Sequence, residues 1–396
     1  MEIEPLFGAA TELKFSIAFW KLPGDEGINA IVDLSGKVSS TKIEFKNQES
    51  GFALSPFINP KGESTLFLNA DLSFDSKSKG LIEHDGVKKD REKQKRKEKL
   101  LQSFQRFGDH PEIDISAWHH PTVHPEAQTS KTRYCRLVAK AVNAIRQKEF
   151  RKLVLSRTKV VSLPGHFRVV KFFQDLCKTY PDALVSVVSI PGIGTWIGSS
   201  PEILVSISRT NLFHTVSLAG TRRIREEAVF VDKSVWTEKE CEEQAWVSRY
   251  IINCFRKIGL KEFQQEGPRV VKAGNLLHLK TDFTVEMRER QASYLGGRML
   301  KRLHPTPAVC GVPKKKALAF IAENEGYDRK FYAGFLGPVN FENESHLFVN
   351  LRCMQLYRRK AILYAGAGIT DRSVPEKEWQ ETEMKCDTLL RVMSRE

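Results

Sequence analysis

"LFVNLRCMQLYRRKAILYAGAGI", residues 347–369, decides the fold class. Two β-rich runs flank the polar "YRRK", so the chain doubles back at once, without a crossover helix. An immediate return makes antiparallel neighbours, whereas parallel strands need a connection of about a dozen residues or more. If the turn centres on residue 359, Arg352 and Gly366 lie opposite each other, an arginine beside a position with no side chain. Glycine in a strand marks close approach of a ligand, and arginine is the natural fork for a carboxylate. The plainer reading of the same pair is a surface arginine and a bulge. Outward from this hairpin, "ALVSVVSI" (183–190), "EILVSI" (202–207) and "RKLVLSRTKVVSL" (151–163) read as strands, and "KTRYCRLVAKAVNAIRQKEF" (131–150) has helical spacing. Helices interspersed with returning strands give an α+β fold rather than a doubly wound parallel sheet.

"LKFSIAFWKLPG" (13–24) and "STLFLNADLSF" (64–74) alternate like strands, a charged insertion follows near 84–107, and "GDHPEIDISAWHHPTVHP" (108–125) is rich in turn residues. The composition therefore divides near residue 128, into 1–128 and a more regular 129–396. With 396 residues and 41% hydrophobic content the chain can bury a large core. The start "MEIEPLFGAATELKF" is acidic where a signal peptide is positive, and no apolar run approaches a membrane span, so a soluble, cytoplasmic protein is expected. Seven cysteines without CxxC pairs read as reduced core residues rather than a disulfide framework or zinc site. The net charge is +14, and "KKDREKQKRKEK" (88–99) sets eight basic residues against three acidic ones. No aromatic residues interleave it to stack bases, so it reads as a solvated helix or loop and no nucleic-acid partner is expected.

"EWQETEMK" (378–385) places Glu378, Glu381 and Lys385 at i, i+3 and i+7 on a helix. Ser373 and Glu376 have capping-box spacing at its start, with Pro375 in the first turn. Trp379, Thr382, Cys386, Leu389 and Met393 form its buried stripe. "TEKECEEQAWVSRYIINC" (237–254) repeats the E-x-x-E arrangement, with Glu240 and Glu243 continuing the stripe Val247, Tyr250, Cys254. Two readings fit. Carboxylates in a first turn suit the helix dipole. Alternatively, two E-x-x-E pairs meeting across two helices make an all-oxygen site for a hard cation such as Mg²⁺. Lys152, opening an apolar strand, either snorkels to the surface or is desolvated into a base. Glu202 follows "WIGSSP" and starts the strand "EILVSI", because Pro201 keeps its predecessor out of the helical region. "GIGTWIG" and "GAGI" lack dinucleotide-loop spacing.

In order, "KLVLSR", "GSSPEILV", "SLAGTRR", "EKECEE", "HLKT", "LHPTPAVCGVP", "YDRKFYAGFLG", "NLRC", "YAGAGI" and "EWQETEMK" resemble the motifs of the chorismate-utilising enzymes, most closely the isochorismate synthases. The resemblance covers roughly residues 130–393; the N-terminal third matches weakly, chiefly through "IAFWKLPG". It implies two large antiparallel or mixed sheets packed face to face with outer helices, the N-terminal segment contributing strands. It implies Mg²⁺ holding a chorismate carboxylate while a nucleophile enters the ring at C2 and hydroxyl leaves C4. By motif, Lys152 is the base that activates water and Glu202 the acid for the departing hydroxyl. Glu243 and Glu381 ligate Mg²⁺, with Glu240 and Glu378 behind them through water. Gly220, Thr221, Ala308, Arg352, Gly366 and Lys385 line the substrate.

Within that resemblance water is the expected nucleophile. Lys152 stands where anthranilate synthases carry glutamine, Ala219 where one type of aminodeoxychorismate synthase carries a nucleophilic lysine, and "HPTPA" resembles the isochorismate synthase form. Gln244 replaces a histidine and Val309 a leucine of the family pattern. The resemblance implies a monomer without a glutamine amidotransferase subunit or membrane contact. Menaquinone biosynthesis is the expected destination of the product, with a siderophore or salicylate route the alternative.

Overall fold

The computed structural model describes residues 3–46, 48–59, 61–75, 80–110, 117–123, 127–223, 236–273, 276–287 and 289–394. Its strands form a ten-stranded and a nine-stranded sheet, and every pairing between named strands is antiparallel. The two sheets pack face to face. Ala18, Trp20, Leu184 and Val188 of the larger share one apolar cluster with Phe52, Leu54, Leu68 and Phe348 of the smaller. The Trp20 and Phe52 rings meet across the layers at 5.1 Å. In the strand Ser16–Lys21, Ile17 and Phe19 turn the other way, onto Phe7, Phe172 and Phe173 of the helices Ile3–Glu12 and Val169–Thr179. Burial on both faces is why this strand and Leu184–Ile190 read as near-continuous apolar runs.

Strands from the first eighty-three residues enter both sheets. Ser16–Lys21 and Asn29–Asp33 extend the larger, and Gly51–Ser55 and Thr65–Asn69 extend the smaller. The helix Ile3–Glu12 lies in the stretch that the sequence reading left as an acidic terminus. The basic run becomes part of the helix Arg91–Asp109, capped by the Asp90 side chain. Several of its cations are partnered: Lys93 with Asp71 at 2.7 Å, Lys97 with Glu83 at 2.9 Å, and Arg106 with Glu12 at 2.6 Å. Five of the seven cysteines are buried, Cys135 is half-buried and Cys241 is exposed. Among the described residues no helix is long and apolar enough to cross a membrane.

The 347–369 stretch folds back as read, with one correction. The strands Cys353–Leu356 and Lys360–Ile369 pair in the register Met354 with Leu363 and Leu356 with Ala361, so the turn lies at Arg358–Arg359. Arg352 precedes the strand, at φ +47°, and does not face Gly366. Gly366 lies instead opposite Ser156 of the strand Lys152–Ser162, where a Cβ would come within 3.0 Å of the Leu155 carbonyl and the Tyr332 hydroxyl. A side chain here would crowd both neighbours.

Candidate active site

The chain passes between the sheets twice at one place. It leaves the larger sheet after Gly194–Ser200, crosses at Pro201–Glu202, and enters the smaller at Ile203–Ile207. It returns between Ser345–Val349 and Cys353–Leu356, through Asn350, Leu351 and Arg352. Backbone bonds tie the crossings together: Val349 N–H donates to the Glu202 carbonyl at 2.9 Å and Ser199 N–H to the Arg352 carbonyl at 3.0 Å. Glu202 therefore sits one residue before the strand it was expected to start. Glu202 and Arg352, one from each crossing, both face the gap between the sheets.

That gap is a pocket lined by Lys152, Glu202, Gly220, Glu243, Ala308, Arg352, Gly366, Glu381 and Lys385, nine of the ten site residues expected from sequence. The tenth, Thr221, follows Gly220 in the strand Leu212–Arg223, and its side chain lies outside the described residues. The register of that strand against Leu276–Glu286 slips by one between Ala219 and Arg222, a bulge in which Gly220 takes φ +73°. The bulge turns the Gly220 carbonyl onto His278 Nδ1 at 2.7 Å, which fixes the imidazole as an Nδ1–H tautomer. His278 Nε2 then accepts from the Arg352 guanidinium at 3.0 Å. Burial and Arg352 push the His278 pKa down to about 3, so it stays neutral. "HLKT" was among the recognised motifs, but nothing in its spacing marks His278 as the group that aims Arg352.

Lys152 is 2% exposed. Burial holds its ammonium pKa below the ordinary value, against the pull of Glu243. Glu202 is 3% exposed and burial raises its carboxyl to about 8, against the opposing pull of Lys152, Lys385 and Arg352. The pocket thus holds a lysine whose ammonium is easier to deprotonate than an ordinary one and a carboxylic acid that keeps its proton at neutral pH. Arg352 is buried with Thr388 Oγ1 at 3.3 Å and His278 as hydrogen-bond partners; no carboxylate salt-bridges it among the described residues. Lys385 donates to Glu381 at 2.7 Å and to the Gly366 carbonyl at 2.8 Å.

The helices Glu238–Lys257 and Pro375–Met393 bring the carboxylates. The second starts differently from expectation. Val374 is its N-cap, and Ser373 instead accepts from the Thr370 N–H, so there is no capping box. The box belongs to the first helix: Thr237 and Glu240 cap each other, and Arg222 Nε meets Glu240 at 2.8 Å. Glu240 is therefore consumed by capping and does not back the site. Glu378 does lie behind it, buried, with Lys239 Nζ 2.6 Å from one oxygen and no partner for the other. Lys239 is also 3.7 Å from Glu243. Burial, then Glu381, raise Glu378; burial also raises Glu243, over the opposing Lys152 and Lys239. Burial would raise Glu381 too, but Lys385 and Lys239 outweigh it and hold it low.

These groups fit a divalent cation. Among the described residues no hydrogen-bond donor reaches the Glu243 carboxylate, and Glu378 Oε2 is an orphaned buried acceptor. A Cβ at Gly368 would come within 2.9–3.1 Å of the Glu243 carboxylate, so a glycine keeps that carboxylate's space open. No group of three His, Cys, Asp or Glu could hold a metal among the described residues. Two carboxylates completed by water and substrate oxygens is nonetheless an ordinary Mg²⁺ shell. Gly368 was missed from sequence, although "YAGAGI" places it two residues beyond Gly366 on one strand face.

The fold and this pocket define a chorismate-utilising enzyme. The chain belongs to the chorismate binding enzyme family, which it matches over residues 55–394, so the match includes strands of the N-terminal third. It is similar to the isochorismate synthase EntC of Escherichia coli (strain K12), 27% identical over 68% of this chain and 69% of that one. Among solved structures, a putative 2,3-dihydroxybenzoate-specific isochorismate synthase, DhbC, from Bacillus anthracis superposes with a TM-score of 0.71 at 22% identity, covering 99% of both chains. MenF, the menaquinone-specific isochorismate synthase from Escherichia coli, superposes at 0.71 and 20% identity, covering 98% of this chain and 91% of that one.

Proposed function

We propose that this protein is an isochorismate synthase that requires Mg²⁺. The observation that carries the reading is the pairing of Lys152 and Glu202 in one pocket, a buried lysine whose ammonium gives up its proton more readily than an ordinary one and a buried acid biased to its protonated form. Shifts in those directions suit a water-addition, hydroxyl-elimination reaction, which needs a base and an acid side by side.

Lys152 takes a proton from the water that bonds to C2 of the ring. The ring double bond shifts as the C4–O bond breaks. Glu202 gives its proton to the leaving hydroxyl, which departs as water. One water enters and one leaves, so substrate and product are isomers. The proton gained by Lys152 equals the one lost by Glu202, and transfer between them restores the starting state. Arg352, aimed by His278, takes a carboxylate of the dianionic substrate. Glu243 and Glu381 would hold the Mg²⁺, which supplies positive charge for a substrate carboxylate that the protein's own carboxylates would otherwise repel.

Incubation of the purified protein with chorismate, with and without Mg²⁺, and chromatography of the products tests this. Isochorismate alone, lost with EDTA, is expected. Salicylate with pyruvate would make the chain a salicylate synthase and overturn the lyase-free reading. Glu381→Ala should lose Mg²⁺-dependent turnover; an unchanged Mg²⁺ titration would remove the ligand assignment. Menaquinone biosynthesis is the destination we propose. A neighbour named as 2,3-dihydroxybenzoate-specific and one named as menaquinone-specific superpose at equal TM-scores, so complementation of strains lacking a menaquinone or a siderophore isochorismate synthase separates the routes.

A further inference from the structure

Away from the catalytic pocket, three helices meet at a cleft of about 430 Å³ whose charged lining is entirely cationic: Lys257, Arg298, Lys301, Arg302 and Lys314. They come from the C-terminal half of Glu238–Lys257, from Glu289–Leu303, and from the first residue of Lys314–Asn324. No carboxylate lines the cleft, and none of the five makes a salt bridge among the described residues. On Arg91–Asp109, by contrast, carboxylates stand among the cations: Lys93 meets Asp71, Lys97 meets Glu83 and Arg106 meets Glu12. Five converging positive charges without a counter-ion repel one another, a cost that a bound anion would relieve.

The local geometry favours a phosphate. Lys314 is half-buried and spends two of its three donors on the Arg302 carbonyl at 3.2 Å and the His304 carbonyl, which leaves one for the cleft. Burial lowers its pKa to about 8, a shift that an anion beside it would reverse. Tyr250 also donates to the Arg302 carbonyl at 2.6 Å, so the end of that helix is fixed at the cleft wall. Lys314 opens an eleven-residue helix whose N-cap, Pro313, offers no side-chain cap, so the positive end of that helix adds to the field. Arg298 and Arg302 supply planar forks suited to phosphate oxygens.

A second cleft adjoins the first and shares Lys301 and Lys314 with it. Its floor is apolar, built from Ile43, Phe57, Leu300, Leu318 and Phe335. Lys42 at its rim is already paired with Glu44. We propose that the joined clefts form a binding site for an amphiphilic phosphate, with the phosphate among Arg298, Lys301, Arg302 and Lys314 and an apolar body on the Phe57–Leu318–Phe335 floor. The site stands apart from the catalytic pocket, and the proposal does not depend on the reaction assigned above.

The test titrates the full chain with 1-naphthyl phosphate, inorganic phosphate and 1-naphthol, followed by calorimetry or naphthyl fluorescence. Saturable one-to-one binding of naphthyl phosphate, at least about tenfold tighter than either fragment, is expected. Arg298→Glu with Lys301→Glu should weaken it at least tenfold. Leu318→Asp should remove the advantage over inorganic phosphate and leave inorganic phosphate binding in place. Chorismate turnover in each variant reports that the fold is intact. Equal affinity in the charge-reversed variant, no saturable binding, or full displacement of the probe by chorismate with Mg²⁺ would each overturn the proposal, the last by placing the probe in the catalytic pocket.

Discussion

The helix Arg91–Asp109 and the catalytic pocket are both rich in cations, and two of the pocket's are treated in the opposite way from those along the helix that meet carboxylates. On the helix, Lys93, Lys97 and Arg106 each meet a carboxylate at 2.6–2.9 Å in partly exposed positions. In the pocket, Lys152 and Arg352 are almost wholly buried, and among the described residues neither has a carboxylate salt bridge. Burying a charge unpaired is costly, and folding tolerates it only where something else requires it. The contrast teaches that charge content alone says little about function. The run at 88–99 supplies five of the fourteen net positive charges and several of its cations meet carboxylates, whereas Lys152 and Arg352 between the sheets are the ones poised for an anionic substrate.

The comparison breaks most visibly at Lys152. Lys152→Ala should lower kcat by about 10⁴-fold, the upper end for a general base, while chorismate still binds; steady-state kinetics with a binding titration checks both halves. Near-normal turnover would return Lys152 to the class of merely structural cations. Next comes Glu202→Gln, with an expected loss of about 10²–10³-fold. Its pH behaviour sharpens the test. A carboxyl near 8 in the folded protein and near 4.5 when unfolded keeps its proton only in the folded state between those values, so the parent loses stability as pH rises from about 4.5 to 8. The variant should lack that component, so its melting temperature should gain on the parent's across the interval. Parent turnover should fall as pH passes 8. Parallel melting curves at all pH values would remove the perturbed acid.

The antiparallel return at 347–369 was legible because strand alternation and a two-residue turn are local properties. The same locality set the helix at 131–146 and the strand from Lys152. Catalytic residues were legible only through ordered motifs, since periodicity offered no reason to prefer Lys152 over any other lysine at a strand start. What stayed hidden depends on partners far away in sequence. Arg352 is expected opposite Gly366 only if the turn centres on residue 359; it centres between 358 and 359, which shifts the register by one residue. Glu240 resembled Glu378 in spacing, but a threonine three residues before it made it a cap. His278 and Gly368 owe their roles to Gly220 and Glu243, 58 and 125 residues away.

Lys239 lies between the two extremes, a partly buried cation held among carboxylates that are the proposed Mg²⁺ ligands or stand behind them. Lys239→Met leaves Glu378 buried without its partner and should cost about 3 kcal/mol of stability without metal. Mg²⁺ should recover more of the melting temperature in the variant than in the parent, because the competing ammonium is gone. An equal Mg²⁺ increment in both would mean that Lys239 and the metal do not share a site.

The smallest effect is expected at the other pole. Lys97 bonds Glu83 at 2.9 Å, with a fifth to a quarter of each side chain still exposed to water. Solvent screens such a pair, and ordering two long side chains offsets much of its attraction. A double-mutant cycle of Lys97→Ala and Glu83→Ala should therefore give a coupling of at most about 1 kcal/mol, with chorismate turnover unchanged in all four proteins. The electrostatics of the helix also predict that raising the salt concentration shrinks this coupling, while the exclusion of water from the pocket leaves the Lys152 and Glu202 effects nearly constant. A tenfold fall in turnover on removing Lys97 would break the comparison from the surface side, because it would make a paired, exposed cation part of the catalytic field.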